Sequence, residues 1–181
     1  MSIIDRLIAA VTPPESDEAR LEARTRATRA ALPGDWLDQI LQHHMDIEAA
    51  FADVRAAPDA ASRAARLKQL ALVLTGHAIA EEAVIYPAMA NEAQKTHAGM
   101  GYDEQALVKV QFALLERLDP MSQQFLDKLD HVESAVQHHM YQEEGDWFIE
   151  LKDSASLADE AMLTRRYAEE YERYVGAPSL A

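Results

Sequence analysis

The sequence predicts an all-α fold: an antiparallel up-down-up-down four-helix bundle with extra N-terminal helices and a C-terminal helix. Three observations carry this. Glycine and proline are sparse, six and seven in 181 residues, so the chain has few interior breaks. Alanine, leucine, glutamate and arginine are abundant, and no stretch alternates strictly between apolar and polar residues. Apolar residues recur at steps of three and four along four long segments, the spacing of one helical face.

The elements follow from the punctuation. The opening "MSIIDRLIAAVTPPESDEAR" has a short apolar run with acids close by. It is too short to span a bilayer and has neither a basic leader nor a clear cleavage site, so a cytoplasmic protein without a membrane partner is expected. Pro13–Pro14 and Pro33–Gly34 frame a helix inside an N-terminal extension, residues 1–34. The bundle is expected over residues 35–150. Asp35 is the N-cap of its first helix, which runs to about Arg55. Pro58–Asp59 restarts the chain, and a long helix reaches Tyr86, where Pro87 kinks or closes it. "HAGMGYDE", residues 97–104, reads as a glycine-containing connection. A third helix runs from about Asp103 to Leu118. Asp119–Pro120 then caps a fourth, which ends near Phe148. The remainder, residues 151–181, supplies the break "KDSAS", a last helix over 157–175 and a stop at Gly176 and Pro178.

The core stripes contain an anomaly. The first bundle helix gives Leu37, Ile40, His44, Ile47, Phe51 and Val54, and the second gives Leu67, Leu70, Leu74, His77, Glu81 and Val84. The third gives Gln105, Val108, Phe112 and Leu115, and the fourth gives Leu129, Val132, Val136, His139 and Glu143. Polar residues stand where leucine belongs, and two of them are carboxylates. An unpaired buried carboxylate costs several kcal/mol or more, roughly, even after relaxation. No lysine or arginine lies on these stripes. The acids must therefore hold protons or take up a cation. Histidine one turn before each glutamate, on the same face, favours a cation, because neutral imidazole ligates zinc, iron, copper and nickel.

Composition narrows the partners. Seventeen basic against 31 acidic residues give a formal charge of −14, which excludes an extended phosphate-binding surface and argues against nucleic acid. The chain has no cysteine, which rules out disulfides, thiolate zinc and iron–sulfur sites.

The segments "LQHHMDIEAAF", "HAIAEEAVIYP" and "HHMYQEEGDWF" together resemble the hemerythrin-like, HHE cation-binding proteins. The match covers about residues 35–150. His44 takes the place of that family's lone first-helix histidine, and His77 with Glu81, and His139 with Glu143, that of its two His-x-x-x-Glu pairs. The resemblance implies a non-haem iron centre, usually of two irons, inside the bundle. The glutamates would bridge or chelate and the histidines would cap. Gln105 stands where the family often has histidine. It is a weak ligand or a hydrogen-bond partner of metal-bound water, and Glu104 or Tyr102 could take its place, Glu104 after local distortion. The resemblance thus implies at least one open coordination position, reactive towards oxygen, nitric oxide or peroxide. A single metal, or zinc, stays open on ligand types alone.

The neighbouring residues read more plainly. His43 and His138 sit beside the stripes, His131 shares a face with His138, and His97 falls in a loop. Glu82 and Glu144 follow the ligand glutamates and are expected on solvated faces, with orientation of the ligands as the other role. Tyr86, Trp147 and Phe148 close the core. Gly76 makes room for a neighbouring helix or an entering ligand, or is a tolerated defect. The leading functional expectation is a protein that binds, senses or detoxifies oxygen, nitric oxide or peroxide. Iron storage without turnover, and a metal-dependent regulator with a protein partner, are the alternatives. Whether it is an enzyme is open.

Overall fold

The computed structural model describes residues 15–176, and these are helical, with no strand among them. The helices are α1 (Asp17–Ala30), α2 (Trp36–Ala56), α3 (Ala60–Ala80), α4 (Tyr86–Asn91), α5 (Lys95–Leu115), α6 (Gln123–Gln142), α7 (Phe148–Ser154) and α8 (Leu157–Val175). Two π-helical turns, Glu81–Ile85 and Glu143–Trp147, join α3 to α4 and α6 to α7 without a break.

The starts are set by side-chain caps. Ser16, Asp35, Asp59, Ser122 and Ser156 each accept a hydrogen bond from a first-turn backbone N–H, and Asp59 with Ser62 forms a reciprocal capping box. Asp35 is the cap the sequence indicates. The cap of α6 is Ser122 instead of Asp119, because Asp119 accepts from Met121 N in the preceding turn. Pro87 neither ends nor visibly breaks the run. It lies at the start of α4, just after the π turn, where a missing N–H costs least. The expected connection at 97–104 is wrong: those residues lie inside α5, so His97 is helical too. Helix propensity weighs glycine as a breaker, but tertiary packing outweighs it here. Pro13–Pro14, Pro178 and the apolar N-terminal run lie outside the described residues.

Helix α2 packs against α3 and α6, and α6 against α5. Helix α1 lies on α2, α6 and the second π turn, and α8 lies on α2, α3 and the first π turn. Gly76 allows α8 its close approach to α3. A Cβ there would stand 2.5 Å from Val175 Cγ2, so the glycine makes room for α8.

Two apolar clusters fill the interior. One holds Trp36, Leu37, Ile40, Tyr86, Met89, Trp147, Phe148, Leu151, Leu163 and Tyr167. The other holds Ile47, Phe51, Val54, Leu67, Leu70, Val108, Phe112, Leu115, Phe125, Leu129 and Val132. Along α2, α3, α5 and α6 with its π turn, the switch from one cluster to the other falls at a buried polar residue: His44, His77, Gln105 and Glu143 respectively. Burying each large side chain contributes about 1.5–3 kcal/mol. Apolar packing on both sides therefore holds a polar layer that would not persist alone. The run Ala60–Asn91 is long and apolar enough to cross a membrane, yet half of its most apolar window is buried, and the buried face carries His77 and Glu81.

Candidate metal centre

Both glutamates of the His-x-x-x-Glu pairs open a π turn. In each turn the backbone bonds five residues back, Tyr86 N to Glu81 O and Phe148 N to Glu143 O. A π turn adds a residue to the helix and so re-aims the side chains that follow; such bulges recur at functional sites.

The three histidines share one mode of attachment. His44 Nδ1 meets Glu144 Oε1 at 2.7 Å, His77 Nδ1 meets the Tyr167 hydroxyl at 3.2 Å, and His139 Nδ1 meets Glu104 Oε2 at 2.7 Å. A carboxylate only accepts, so Nδ1 of His44 and of His139 carries the hydrogen. Each ring thereby presents Nε2 to the interior. There His44 Nε2 lies 3.4 Å from Glu143 Oε2, His77 Nε2 3.3 Å from Glu81 Oε2, and His139 Nε2 3.2 Å from Glu143 Oε1. Neutral imidazoles so oriented set lone pairs against carboxylate lone pairs. That contact is repulsive unless a second proton on the ring or a metal ion lies between them.

The buried, unsatisfied atoms say the same. His44 Nε2, Glu81 Oε1, Glu143 Oε2 and Gln105 Oε1 have no hydrogen-bond partner. Ligand atoms of His44, His77, Glu81 and Glu143 lie within 4.8 Å of one another, and all four residues are buried. His139 adjoins this group through Glu143. Gln105 Nε2 donates to Glu81 Oε2 at 2.7 Å and to the Tyr86 oxygen at 2.8 Å. It thus faces the centre with an N–H. Glu104 stands behind His139, away from Nε2.

The electrostatics follow from burial. Burial and then the Glu143 charge raise the Glu81 carboxyl well above its usual range. Glu143 is held below the usual range: burial opposes its charge, but His139 and His44 outweigh it. Burial works against a second proton on His44 as well, and the Glu143 and Glu144 carboxylates override it, pushing His44 up to about 9. His139 moves up for a like reason, with Glu143 and Glu104 overcoming burial. Burial, then the charge of His44, keeps His77 well below its ordinary value, so it is neutral. Protons on His44, His139 and Glu81 thus stand where a metal's positive charge would serve. Three imidazole nitrogens and two carboxylates make a donor set that fits a divalent ion such as iron or zinc.

Four further residues belong to the site, and of these the sequence reading offered a ligand-orienting role only for Glu144. Tyr86 is not just a core-closing aromatic: its hydroxyl reaches Glu143 Oε1 at 2.9 Å, His139 Nε2 at 3.0 Å and Glu81 Oε2 at 3.3 Å. Glu144 is buried, not solvated, and holds His44. Arg24 of α1 anchors Glu144, with Nη2 2.7 Å from Oε1, and also binds Glu48. Tyr167 of α8 serves His77 and also contacts His43 Nδ1 at 2.9 Å. The available signals were Tyr86, five residues after Glu81, and Glu144, directly after Glu143. Arg24 and Tyr167 lie on other elements, and nothing in their spacing announces them. Among the remaining histidines, His43 stacks on Tyr171, His97 stacks on Trp147, and His138 binds Glu15. Glu82 faces outward to Lys109.

A cavity of about 150 Å³ reaches the centre from one side. Leu74, Val108, Phe112, Val136 and Met140 make its apolar wall; His77, Gln105 and His139 line it as well.

A DNA nickase of Nostoc sp. (strain PCC 7120 / SAG 25.82 / UTEX 2576) is 26% identical over 119 residues, which is 66% of this chain and 34% of that protein. The chain therefore spans about a third of that relative's length. No solved structure matches it. The family model for the hemerythrin HHE cation binding domain matches residues 36–151, the span that supplies every histidine and glutamate of the layer, and the chain belongs to that family.

Proposed function

We propose that the chain holds a non-haem centre of two irons and uses it to bind, sense or detoxify oxygen, nitric oxide or peroxide. The observation that carries this is the inward Nε2 of His44, His77 and His139 around two buried carboxylates with unpartnered oxygens. His44 and His77 would hold one ion, His139 the other, and Glu81 and Glu143 would be shared. Bound iron supplies an open coordination position and one-electron redox chemistry. The chain does the rest. Glu144, Tyr167 and Glu104 fix ring tautomers and orientation, as hydrogen-bonded partners of metal-ligating histidines do. Gln105 offers an N–H towards the shared carboxylate. The two apolar clusters exclude bulk water, and the cavity beside Gln105 admits a small molecule. Gln105 would neither fill nor block a coordination position.

The long helices α2, α3, α5 and α6, joined by short connections, fit an up-down-up-down bundle over residues 35–150 with helical additions on both sides. A cytoplasmic setting and the absence of a membrane or nucleic-acid partner belong to the same reading. The nickase activity named for the Nostoc relative is not carried over, because a charge of −14 is a poor match for DNA.

Metal analysis with an absorption spectrum on freshly purified protein tests this. About two irons per chain, with oxo-bridge bands in the near ultraviolet, are expected. Iron held without turnover of peroxide would favour storage instead. Zinc alone would overturn the redox reading.

A further inference from the structure

The Tyr86 hydroxyl has one proton and three polar neighbours: Glu143 Oε1 at 2.9 Å, His139 Nε2 at 3.0 Å and Glu81 Oε2 at 3.3 Å. Gln105 Nε2 already donates to the same oxygen at 2.8 Å. Glu81 Oε2 accepts from Gln105 Nε2 at 2.7 Å, and the single Tyr86 proton can serve only one of the remaining two, in a place where Tyr86 itself has no solvent exposure. The hydroxyl does not merely cap the site. It lies among the donor atoms of the His139 half, while His44 Nε2 and Glu143 Oε2 have no partner. Adjacent ligands at right angles on a first-row ion, with bonds of about 2.0–2.2 Å, stand roughly 2.8–3.1 Å apart. The Tyr86 oxygen, His139 Nε2 and Glu143 Oε1 have that spacing already, 2.9–3.2 Å, and Glu81 Oε2 is close to it.

The ring is held there by construction. A Cβ on Gly101 would stand 2.7 Å from Tyr86 Cζ and 3.0 Å from Cε2, so α5 leaves a slot that only glycine leaves open. Tyr102, on the same helix, packs its edge on the ring at 5.1 Å. The matching position of the other repeat is Phe148, which has no oxygen and packs on Trp36. Of the two repeats, only the first thus turns a phenol oxygen in among the metal-facing donor atoms, on the side where Gln105 brings no imidazole.

We propose that Tyr86 is a metal ligand, its phenolate oxygen completing with His139, Glu81 and Glu143 the set for the second ion. Binding breaks the O–H bond. The proton leaves for solvent, and the oxygen keeps the electron pair and donates it to the metal. The inference rests on the metal-binding reading above.

The test is ferrous iron loaded into the whole chain without air and oxidised with ferricyanide. Wild-type protein should show a visible phenolate-to-iron(III) band and tyrosinate modes in resonance Raman spectra. Y86F should keep iron and helical circular dichroism but lose both signals, and Y167F should keep both. G101A retains the hydroxyl but displaces the ring, and should lose the signals too; it decides the matter if Y86F does not fold. Wild-type protein that holds iron without tyrosinate modes, or modes that survive in Y86F, would overturn the assignment and leave the metal reading intact. Wild-type protein that takes up no iron would overturn both.

Discussion

The segments 77–87 and 138–148 begin alike and end in different chemistry. Each opens with His-x-x-x-Glu-Glu, each glutamate starts a π turn, and each has an aromatic nine residues after the histidine. The second glutamates then part. Glu82 reaches outward to Lys109, while Glu144 is buried, holds His44 and is anchored by Arg24. The aromatics part as well. Tyr86 brings an oxygen into the centre, and Phe148 closes the apolar cluster against Trp36. The histidines lean on different neighbours, His77 on α8 and His139 on α5. A repeated motif fixes which atoms can face a metal; the helices packed against it decide what each repeat adds.

The common part should break first and hardest. Glu81→Ala and Glu143→Ala should each lower metal affinity more than about 100-fold, since loss of an outer partner alone costs 10–100-fold. Metal analysis after dialysis reads this. Melting temperature should also stop rising with added metal, where wild type gains about 2.7 kcal/mol at a hundred times Kd. A variant that kept its full complement would remove that glutamate from the centre.

The next effect separates the repeats. Glu144→Ala should weaken metal binding about 10–100-fold, because the His44 ring loses the acceptor that fixes its tautomer. Glu82→Ala should leave affinity unchanged. Equal losses in a metal titration would erase the distinction. Arg24→Ala should fall between them, about tenfold, as it removes the anchor and not the acceptor.

A pH series sharpens the contrast among histidines. The metal-free chain keeps the second His44 proton up to about pH 9, and metal must displace it. Apparent affinity should therefore climb as pH rises towards that value, with protons released on binding near neutrality. His77 is already neutral there and adds none. Calorimetry in buffers of different ionisation enthalpy counts the protons; no release would contradict the raised His44. The smallest effect belongs to the outward pair. Lys109→Ala should shift stability by less than about 0.5 kcal/mol and leave metal content alone.

The failures of sequence reading were local. Gly99 and Gly101 suggested a connection where α5 is continuous, because local propensity counts the entropy glycine loses and not the ring that glycine lets in. Glu144 looked solvated because a helix position one step from a core stripe ordinarily is; here α1 covers it.

What this chain's sequence determined by itself was the helical class, the segments that carry stripes, and the inward placement of His44, His77, Glu81, His139 and Glu143. Those follow from periodicity along single helices and from the cost of burying unpaired charge. Only tertiary structure decided that Arg24 of α1 and Tyr167 of α8 reach the same layer, and that Tyr86 supplies an oxygen while Phe148 does not. Such contacts join residues up to 120 positions apart, and their register depends on how whole helices pack, which no local spacing encodes.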